Sequence, residues 1–162
     1  MEPRFVIKNH SDINYVIGYL NTNHAKAASE GKPLVVLIAP QEKDRTKAQN
    51  RLYWMWLNQW AKKQGTDKDY EHLFFKKNFL AKIYDRDDVG QYKKTFKAVR
   101  ELKDSKHQLY QDVANGLCEL MSTTDASTAQ FTEYLNDIHL FCLNQGCYLD
   151  TPEDLKFALE YK

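Results

Sequence analysis

The stretch from residue 44 to residue 60, DRTKAQNRLYWMWLNQW, combines cations and aromatic rings at helical spacing. Wound as a helix at about 100° per residue, it places Lys47, Arg51 and Trp54 on one face. Cations neutralise phosphates and release counterions, while an indole ring offers a flat surface on which a nucleic-acid base can stack. We therefore predict phosphate contacts at Arg45, Lys47 and Arg51. Trp54 is predicted to stack on a base, and the alternative is that it is buried against another helix or a second subunit.

The opposite side of the same helix is apolar and predicts a core face. Gln49 falls on this apolar side, where an unpaired amide would cost ~1–3 kcal/mol. It is therefore expected either to bond a neighbouring strand or loop, or to face a cleft and a ligand. Asn50 lies at the border of the two faces and fits either role. The residues predicted to hold the helix to the core are Leu52, Tyr53, Trp56, Leu57 and Trp60.

A second basic stretch, QYKKTFKAVRELKDSK, covers residues 91–106. One interpretation is a solvated face of lysines and arginines with Tyr92 and Phe96 turned inward. The functional interpretation is an extension of the same DNA-binding surface, in which cations contact phosphates without reading sequence. The phosphate contacts predicted here are Lys93, Lys94, Lys97 and Arg100.

Two groups of residues could instead hold a metal ion. The loop YDRDDVG supplies Asp85, Asp87 and Asp88, which are the residue types that bind Mg²⁺ in nucleases, although no acid-x-Lys motif accompanies them. A second group contains His139, Cys142 and Cys147, but it lacks a C-x₂-C half-site, and core thiols are the better interpretation. We predict no metal, no cofactor and no catalytic residue.

Length and composition favour a single domain. The chain has 162 residues, of which 43% are hydrophobic and 28% charged, as is typical of a soluble globular protein. No apolar run approaches the ~20 residues of a membrane helix, and the N-terminus does not resemble a signal peptide. The cysteine count of three is odd and unpaired in spacing, which favours reduced thiols and a cytoplasmic location.

Charge is distributed unevenly along the chain. Residues 1–42 are balanced, whereas residues 43–106 carry seventeen basic and nine acidic groups, a net charge of +8. Residues 107–162 carry two basic and nine acidic groups, a net charge of −7. The middle segment predicts a polyanion-binding surface. The alternative is that the basic and acidic segments pair with each other, within one chain or across a dimer.

The pattern of elements predicts an α+β fold in one domain. RFVIKN (4–9) and PLVVLIA (33–39) are β-branched-rich runs that favour strands, with a helix between them, so residues 1–42 read as a strand–helix–strand unit. The segments 43–106 and 107–162 are predicted to be helical, basic and acidic respectively.

Local signals place several helix boundaries. The aromatic helix is expected to end at Gly65, the helical run 91–115 to break near KDSK, and a helix to start at a capping box formed by Ser127 and Gln130. A last helix is expected after Thr151.

Two motifs resemble a known family. RTKAQNRLYWMWL is similar to the R-S/T-x-x-Q-N-R-x-x-W signature of the NinB (Orf) family of phage recombination proteins, and STTDASTAQFTEYLNDIHLFCLNQGCYLDTPED is similar to a later block of that family. The closing ALEYK is also similar, whereas the resemblance does not extend over residues 82–120. The fixed positions of the first motif are occupied by Arg45, Thr46, Gln49, Asn50, Arg51 and Trp54.

The resemblance implies a cytoplasmic homodimer, ring-like in shape, that binds DNA without sequence preference and favours single strands. It implies a recombination mediator that helps a phage recombinase to load where the host single-strand-binding protein sits. By position, Gln49, Asn50, Arg51 and Trp54 would lie at or near the DNA channel. We therefore expect a non-catalytic accessory protein. The alternatives are a metal-dependent nuclease using Asp85, Asp87 or Asp88, and a dimeric interaction protein without DNA affinity.

Overall fold

The computed structural model describes residues 3–39 and 44–160, without the side chain of Arg45. The predicted phosphate contact at Arg45 and the last two residues of ALEYK therefore lie outside the described part. A π-helical turn spans Lys76–Leu80, and a 3₁₀ helix, Glu153–Leu159, is the last element of the described chain. The helices are α1 (Ile13–Ser29), α2 (Arg45–Gln64), α3 (Lys68–Phe75), α4 (Ala81–Arg86), α5 (Lys93–Asp104), α6 (Tyr110–Leu120) and α7 (Thr128–Asn144).

The predicted α+β fold is wrong, because the described residues form helices and contain no strand. Residues 4–9 and 33–39, predicted as strands, have no regular secondary structure over most of their length. Val35 is 91% exposed and Leu37 88% exposed, so this segment packs against neither a sheet nor the core. β-Branched residues fit a pleated surface but do not create a partner, and a strand exists only where another strand accepts its hydrogen bonds.

Both ends of α2 are set by local chemistry. The Asp44 carboxylate caps the first turn by accepting a hydrogen bond from the backbone N–H of Lys47 at 3.2 Å. Gly65 follows the last turn with φ of 72°, a left-handed conformation that glycine adopts without steric cost. The predicted helix end at Gly65 is confirmed.

The core is built on the apolar face of α2, as the spacing predicts. Leu52, Tyr53, Trp56 and Leu57 are fully buried, and Trp60 is 5% exposed. Around them, α2 packs against α3, α7 and the C-terminal 3₁₀ helix. The indoles also satisfy their polar atoms: Trp56 Nε1 donates to the Asp150 carbonyl at 2.9 Å and Trp60 Nε1 to the Glu71 carboxylate at 2.8 Å.

Residues 3–39, here called the N-terminal arm, contribute no buried residue to this core. The ring centroids of Phe5 and Tyr19 lie 5.5 Å apart within the arm. Residues 44–160, here called the body, contain every buried residue of the described chain. The core of the body therefore forms without help from the arm.

The second half of the body follows the predicted boundaries. The helical run beginning near residue 91 breaks at residues 105–109, between α5 and α6. At the start of α7, Ser127 and Gln130 form the predicted capping box. The last predicted helix is a 3₁₀ helix that begins after Pro152.

The three cysteines are all buried and free of disulfides. Within the described ranges, no helix has both the length and the apolar character needed to cross a membrane.

Candidate nucleic-acid interface

The first two turns of α2 present polar side chains to solvent. Lys47 has a side chain that is 73% exposed, and its ammonium group lies 3.6 Å from the Asp44 carboxylate. Asn50 is exposed beside it. Both residues are therefore accessible to a ligand at the start of the helix, where backbone N–H groups and the helix dipole favour an anion.

Arg51 and Arg4 share one carboxylate, and no role was predicted for Arg4 from the sequence. Arg51 Nη1 donates to Asp154 Oδ2 at 3.4 Å, and Arg4 Nη1 donates to the same oxygen at 3.0 Å. The Arg51 and Arg4 side chains are 42% and 41% exposed, so both guanidinium groups remain open to solvent. No sequence signal could have joined Arg4 to this group, because Asp154 lies 150 positions away.

Trp54 is half-buried. This lies between the two predicted alternatives, an exposed ring that stacks on a base and a ring buried against another helix or subunit. Its ring stacks on His72 of α3 with centroids 5.1 Å apart and an interplanar angle of 24°. The ammonium group of Lys68 lies 5.8 Å from the Trp54 ring centroid. His72 therefore covers part of the Trp54 ring within the chain itself. Lys68 and His72 are four positions apart and share a face of α3, a spacing that could have indicated their proximity.

His72 ends a chain of buried hydroxyl groups. Tyr53 Oη lies 2.6 Å from His72 Nδ1 and 3.1 Å from Tyr134 Oη. Burial lowers the pKa of His72, the positive charge of Lys76 lowers it further, and the charge of Asp69 opposes both effects. Burial also raises the pKa of Tyr53 and of Tyr134, so both hydroxyls keep their protons. A neutral His72 accepting from Tyr53, which in turn accepts from Tyr134, satisfies all three groups.

Gln49 lies in the core with 1% of its surface exposed. Its amide nitrogen donates to Thr132 Oγ1 at 2.7 Å, and to the carbonyl oxygens of Thr128 and Ala158, each at 3.1 Å. These acceptors belong to α7 and the C-terminal 3₁₀ helix, so the amide ties both elements to α2. The prediction of a DNA contact at Gln49 has no accessible surface to support it in this conformation.

The cations of α5 form a second surface, away from the main neighbours of α2. α5 packs against α4 and α6, whereas α2 packs against α3, α7 and the C-terminal 3₁₀ helix. Lys94 and Lys97 are exposed, while Lys93 pairs with Asp88 at 2.9 Å and Arg100 pairs with Asp85. Tyr92 and Phe96 of this stretch are 6% and 7% exposed, which confirms that its aromatic rings turn inward.

The stretch YDRDDVG, predicted as a loop, is helical up to Arg86 at the end of α4, and its three aspartates are paired with separate cations. Asp85 is paired with Arg100 and Asp88 with Lys93, while Arg86 donates to both oxygens of Asp87 at 2.7 and 3.0 Å. Arg86 and Gln130 lower the pKa of Asp87 to about 2. Within residues 3–39 and 44–160, no three His, Cys, Asp or Glu side chains converge on a point where a metal ion could bind.

The alternative zinc group is likewise used for packing. His139 packs against Trp56 in a tilted arrangement with ring centroids 5.3 Å apart, and Cys142 and Cys147 are buried. Burial raises the pKa of the Cys142 thiol to about 12, as expected for a protonated thiol packed in the core.

The geometry thus gathers Lys47, Asn50, Arg51 and Trp54 on one exposed ridge of α2, here called the α2 ridge. Comparisons of the chain with family models, with curated proteins and with solved structures found no match. The resemblance to the NinB family therefore depends on the motif residues themselves, and it stays a prediction.

The basic surplus of residues 43–106 is only partly neutralised by the acidic segment. In the part of the chain that the structure describes, ion pairs join the two segments at Arg51–Asp154 and at Arg86–Glu133. Lys47, Lys93 and Arg100 pair instead with acids of their own segment. Among the described side chains, ion pairs therefore join the basic and acidic segments at these two places.

Proposed function

We propose that the protein is a non-catalytic DNA-binding protein that assists phage-type homologous recombination as an accessory or mediator. Binding is independent of sequence and favours single-stranded DNA. The observation that carries the proposal is the α2 ridge, where the exposed cations Lys47 and Arg51 adjoin the half-buried ring of Trp54.

The composition of the ridge supports binding without sequence preference. Arginine and lysine contact the phosphate backbone, which is the same at every nucleotide. An indole stacks on any base, at ~1–3 kcal/mol per base, because every base has a π face. Stacking requires an unpaired base, so the same ridge favours single strands over duplex DNA. Because His72 already covers the indole, a base would reach the remaining exposed part of the ring.

The role in recombination and its partners rest on the motif resemblance. We propose a phage recombinase and a host single-strand-binding protein as protein partners, and the cytoplasm as the location. A homodimer is supported by the N-terminal arm, in which residues 35–38 expose four consecutive aliphatic side chains. Such a contiguous apolar segment is a common mark of a protein–protein interface.

The decisive experiment measures binding of a labelled single-stranded oligonucleotide, with duplex DNA in parallel, over a series of salt concentrations. The proposal expects tighter binding to the single strand, and a logarithmic salt slope that Arg51→Gln reduces by about 0.7 for the lost phosphate contact. Lys26→Gln is the matched control, because Lys26 is an exposed α1 cation paired only loosely with Glu30 at 3.9 Å.

Two results would count against the proposal in different ways. Failure of the wild-type protein to retain either oligonucleotide at low salt would remove the function itself. An Arg51→Gln protein with unchanged affinity and salt slope would remove the assignment of this residue. Incubation of the same oligonucleotides with Mg²⁺ or Mn²⁺ tests the nuclease alternative, because a mediator leaves them intact.

The exposed apolar segment of the arm also favours a second function, that of a dimeric interaction protein without DNA affinity. Light scattering beside a gel shift at two salt concentrations separates the two. A dimer that shifts no DNA at either concentration would support this second function over the first.

A further inference from the structure

One carboxylate oxygen serves two arginines that come from distant parts of the chain. Asp154 Oδ2 accepts from Arg4 Nη1 at 3.0 Å and from Arg51 Nη1 at 3.4 Å. Arg4 precedes α1 in the N-terminal arm, Arg51 lies on the α2 ridge, and Asp154 belongs to the C-terminal 3₁₀ helix. Within the described residues, the Arg4–Asp154 hydrogen bond is the one that joins the arm to the body.

The contact between these three side chains leaves much of both guanidinium groups unused. Each arginine approaches Oδ2 through one nitrogen, although a guanidinium carries five N–H donors in a planar fork. The two arginine side chains are about two-fifths exposed, while the Asp154 side chain is only 16% exposed. Two positive charges therefore face solvent around a single, more deeply placed negative charge.

This arrangement suits a phosphate better than it suits the carboxylate. Phosphate offers more acceptor oxygens and can bind two guanidinium forks together, whereas one carboxylate oxygen is shared here between two donors. Solvent also weakens both ion pairs from the arginine side, where each guanidinium group is about two-fifths exposed. A phosphate can therefore replace the carboxylate as the partner of both guanidinium groups at a small cost in free energy.

We propose that Arg4 is a further DNA-contacting residue, and that Asp154 is an internal competitor whose carboxylate holds Arg4 and Arg51 until a DNA phosphate replaces it. The inference rests on the proposed function, since the phosphate comes from single-stranded DNA bound at the α2 ridge. It adds Arg4, at the start of the N-terminal arm, to the binding site.

The experiment compares Asp154→Asn with Glu153→Gln in the full chain, using fluorescence anisotropy of a labelled single-stranded oligonucleotide. Both variants remove one negative charge from the same turn, but Glu153 pairs with Lys156 and touches neither arginine. Asp154→Asn is expected to tighten binding by about two- to fivefold, the size expected for loss of an exposed competing ion pair. Glu153→Gln is expected to produce less than half of that change.

A third variant tests Arg4 directly and does not alter the carboxylate. Arg4→Gln is expected to weaken binding and to reduce the logarithmic salt slope by about 0.7, as for one phosphate contact on a single strand. When Arg4→Gln and Arg51→Gln are combined, Asp154→Asn should tighten binding less than it does in the wild-type chain, because neither arginine remains for the carboxylate to release. Circular dichroism of each variant confirms that the helical fold is retained.

The outcomes separate this inference from the function on which it rests. If Arg51→Gln weakens binding while Asp154→Asn behaves like Glu153→Gln, the competitor role is overturned and DNA binding stands. If Arg4→Gln leaves the salt slope unchanged, the contact at Arg4 is overturned, even where Asp154→Asn fails to fold. If the wild-type protein binds no DNA, both the function and the inference are overturned.

Discussion

At the scale of single residues, His72 connects the candidate site to the core. It stacks on Trp54 on one side, and its Nδ1 lies 2.6 Å from Tyr53 Oη on the other. A protonated His72 would have to donate through Nδ1, so Tyr53 would have to donate to Tyr134 instead. The Tyr134 hydroxyl would then lose its acceptor within the described residues. The neutral imidazole is therefore the form that the surrounding groups stabilise.

This preference predicts how stability depends on pH. The pKa of His72 is lowered in the folded state, so above its ordinary value of 6.5 both states are neutral and stability is complete. Below pH 6.5 the unfolded chain binds a proton that the folded chain resists, so the free energy of unfolding falls as pH decreases. Thermal melting between pH 7.5 and 5 should show this loss.

His72→Gln is the control for the pH prediction, since glutamine keeps a hydrogen-bond acceptor but does not titrate. The variant should melt with a flatter pH dependence over the same range, where the Asp87 carboxylate, with a pKa of about 2, remains charged. Equal pH dependence in the two proteins would show that His72 does not control acid stability.

At the scale of elements, the Gln49 amide holds three of them together. It joins α2 to α7 through Thr128 and Thr132, and to the C-terminal 3₁₀ helix through Ala158. Gln49→Ala should lower the free energy of unfolding by about 1–3 kcal/mol, because buried acceptors lose their donor. Asn50→Ala, at the adjacent exposed position, should change it by less than about 0.5 kcal/mol. Urea unfolding followed by circular dichroism measures both.

Equal stability of the Gln49 and Asn50 variants would contradict a structural role for the Gln49 amide. Comparison of the two variants also separates an effect on folding from an effect on DNA binding. Asn50→Ala is expected to weaken binding of single-stranded DNA without loss of stability, whereas Gln49→Ala acts first on the fold.

Features of these elements that are set by residues close in sequence could be predicted, whereas features set by distant contacts could not. The buried face of α2 follows from helical periodicity, and its end at Gly65 follows from a single left-handed residue, so both were predictable. The acceptors of Gln49 lie 79 to 109 positions away, and no local pattern indicates them. The prediction of strands at 4–9 and 33–39 was wrong for the same reason. Composition indicates a preference for extended backbone, whereas strand pairing depends on a distant partner.

The same limit applies to the candidate site. The cations and the indole of the α2 ridge were recognisable because they share one helix. Arg4, Asp154 and His72 are brought to that ridge by tertiary packing, which one sequence does not reveal.

At the scale of the whole molecule, the N-terminal arm exposes a length of apolar chain that the body does not cover. Val35, Leu37 and Ile38 are 88–91% exposed, although burying each would stabilise a protein by about 1.5–3 kcal/mol. Residues 1–42, which contain the arm, carry equal numbers of acidic and basic groups, so no large net charge opposes the approach of two copies.

We expect the combined substitutions Val35→Lys and Leu37→Lys to shift the protein from dimer to monomer. The melting temperature of the body should stay unchanged in the monomer, because neither side chain contributes to the core. Light scattering gives the mass. The matched control places the same two charges on exposed positions of α1, as Asn21→Lys with Ala28→Lys, and should remain dimeric. A wild-type protein that is already monomeric would remove the dimer from the proposal.

The π-helical turn between α3 and α4 changes how the sequence of that region has to be counted. Phe75 and Leu80 are both fully buried although they are five positions apart, a separation that would place them about 140° from each other on an uninterrupted α-helix. The wider turn absorbs one additional residue, so Ile83 and Tyr84 return to the core in α4. The hydrophobic repeat before the turn is therefore out of phase with the repeat after it.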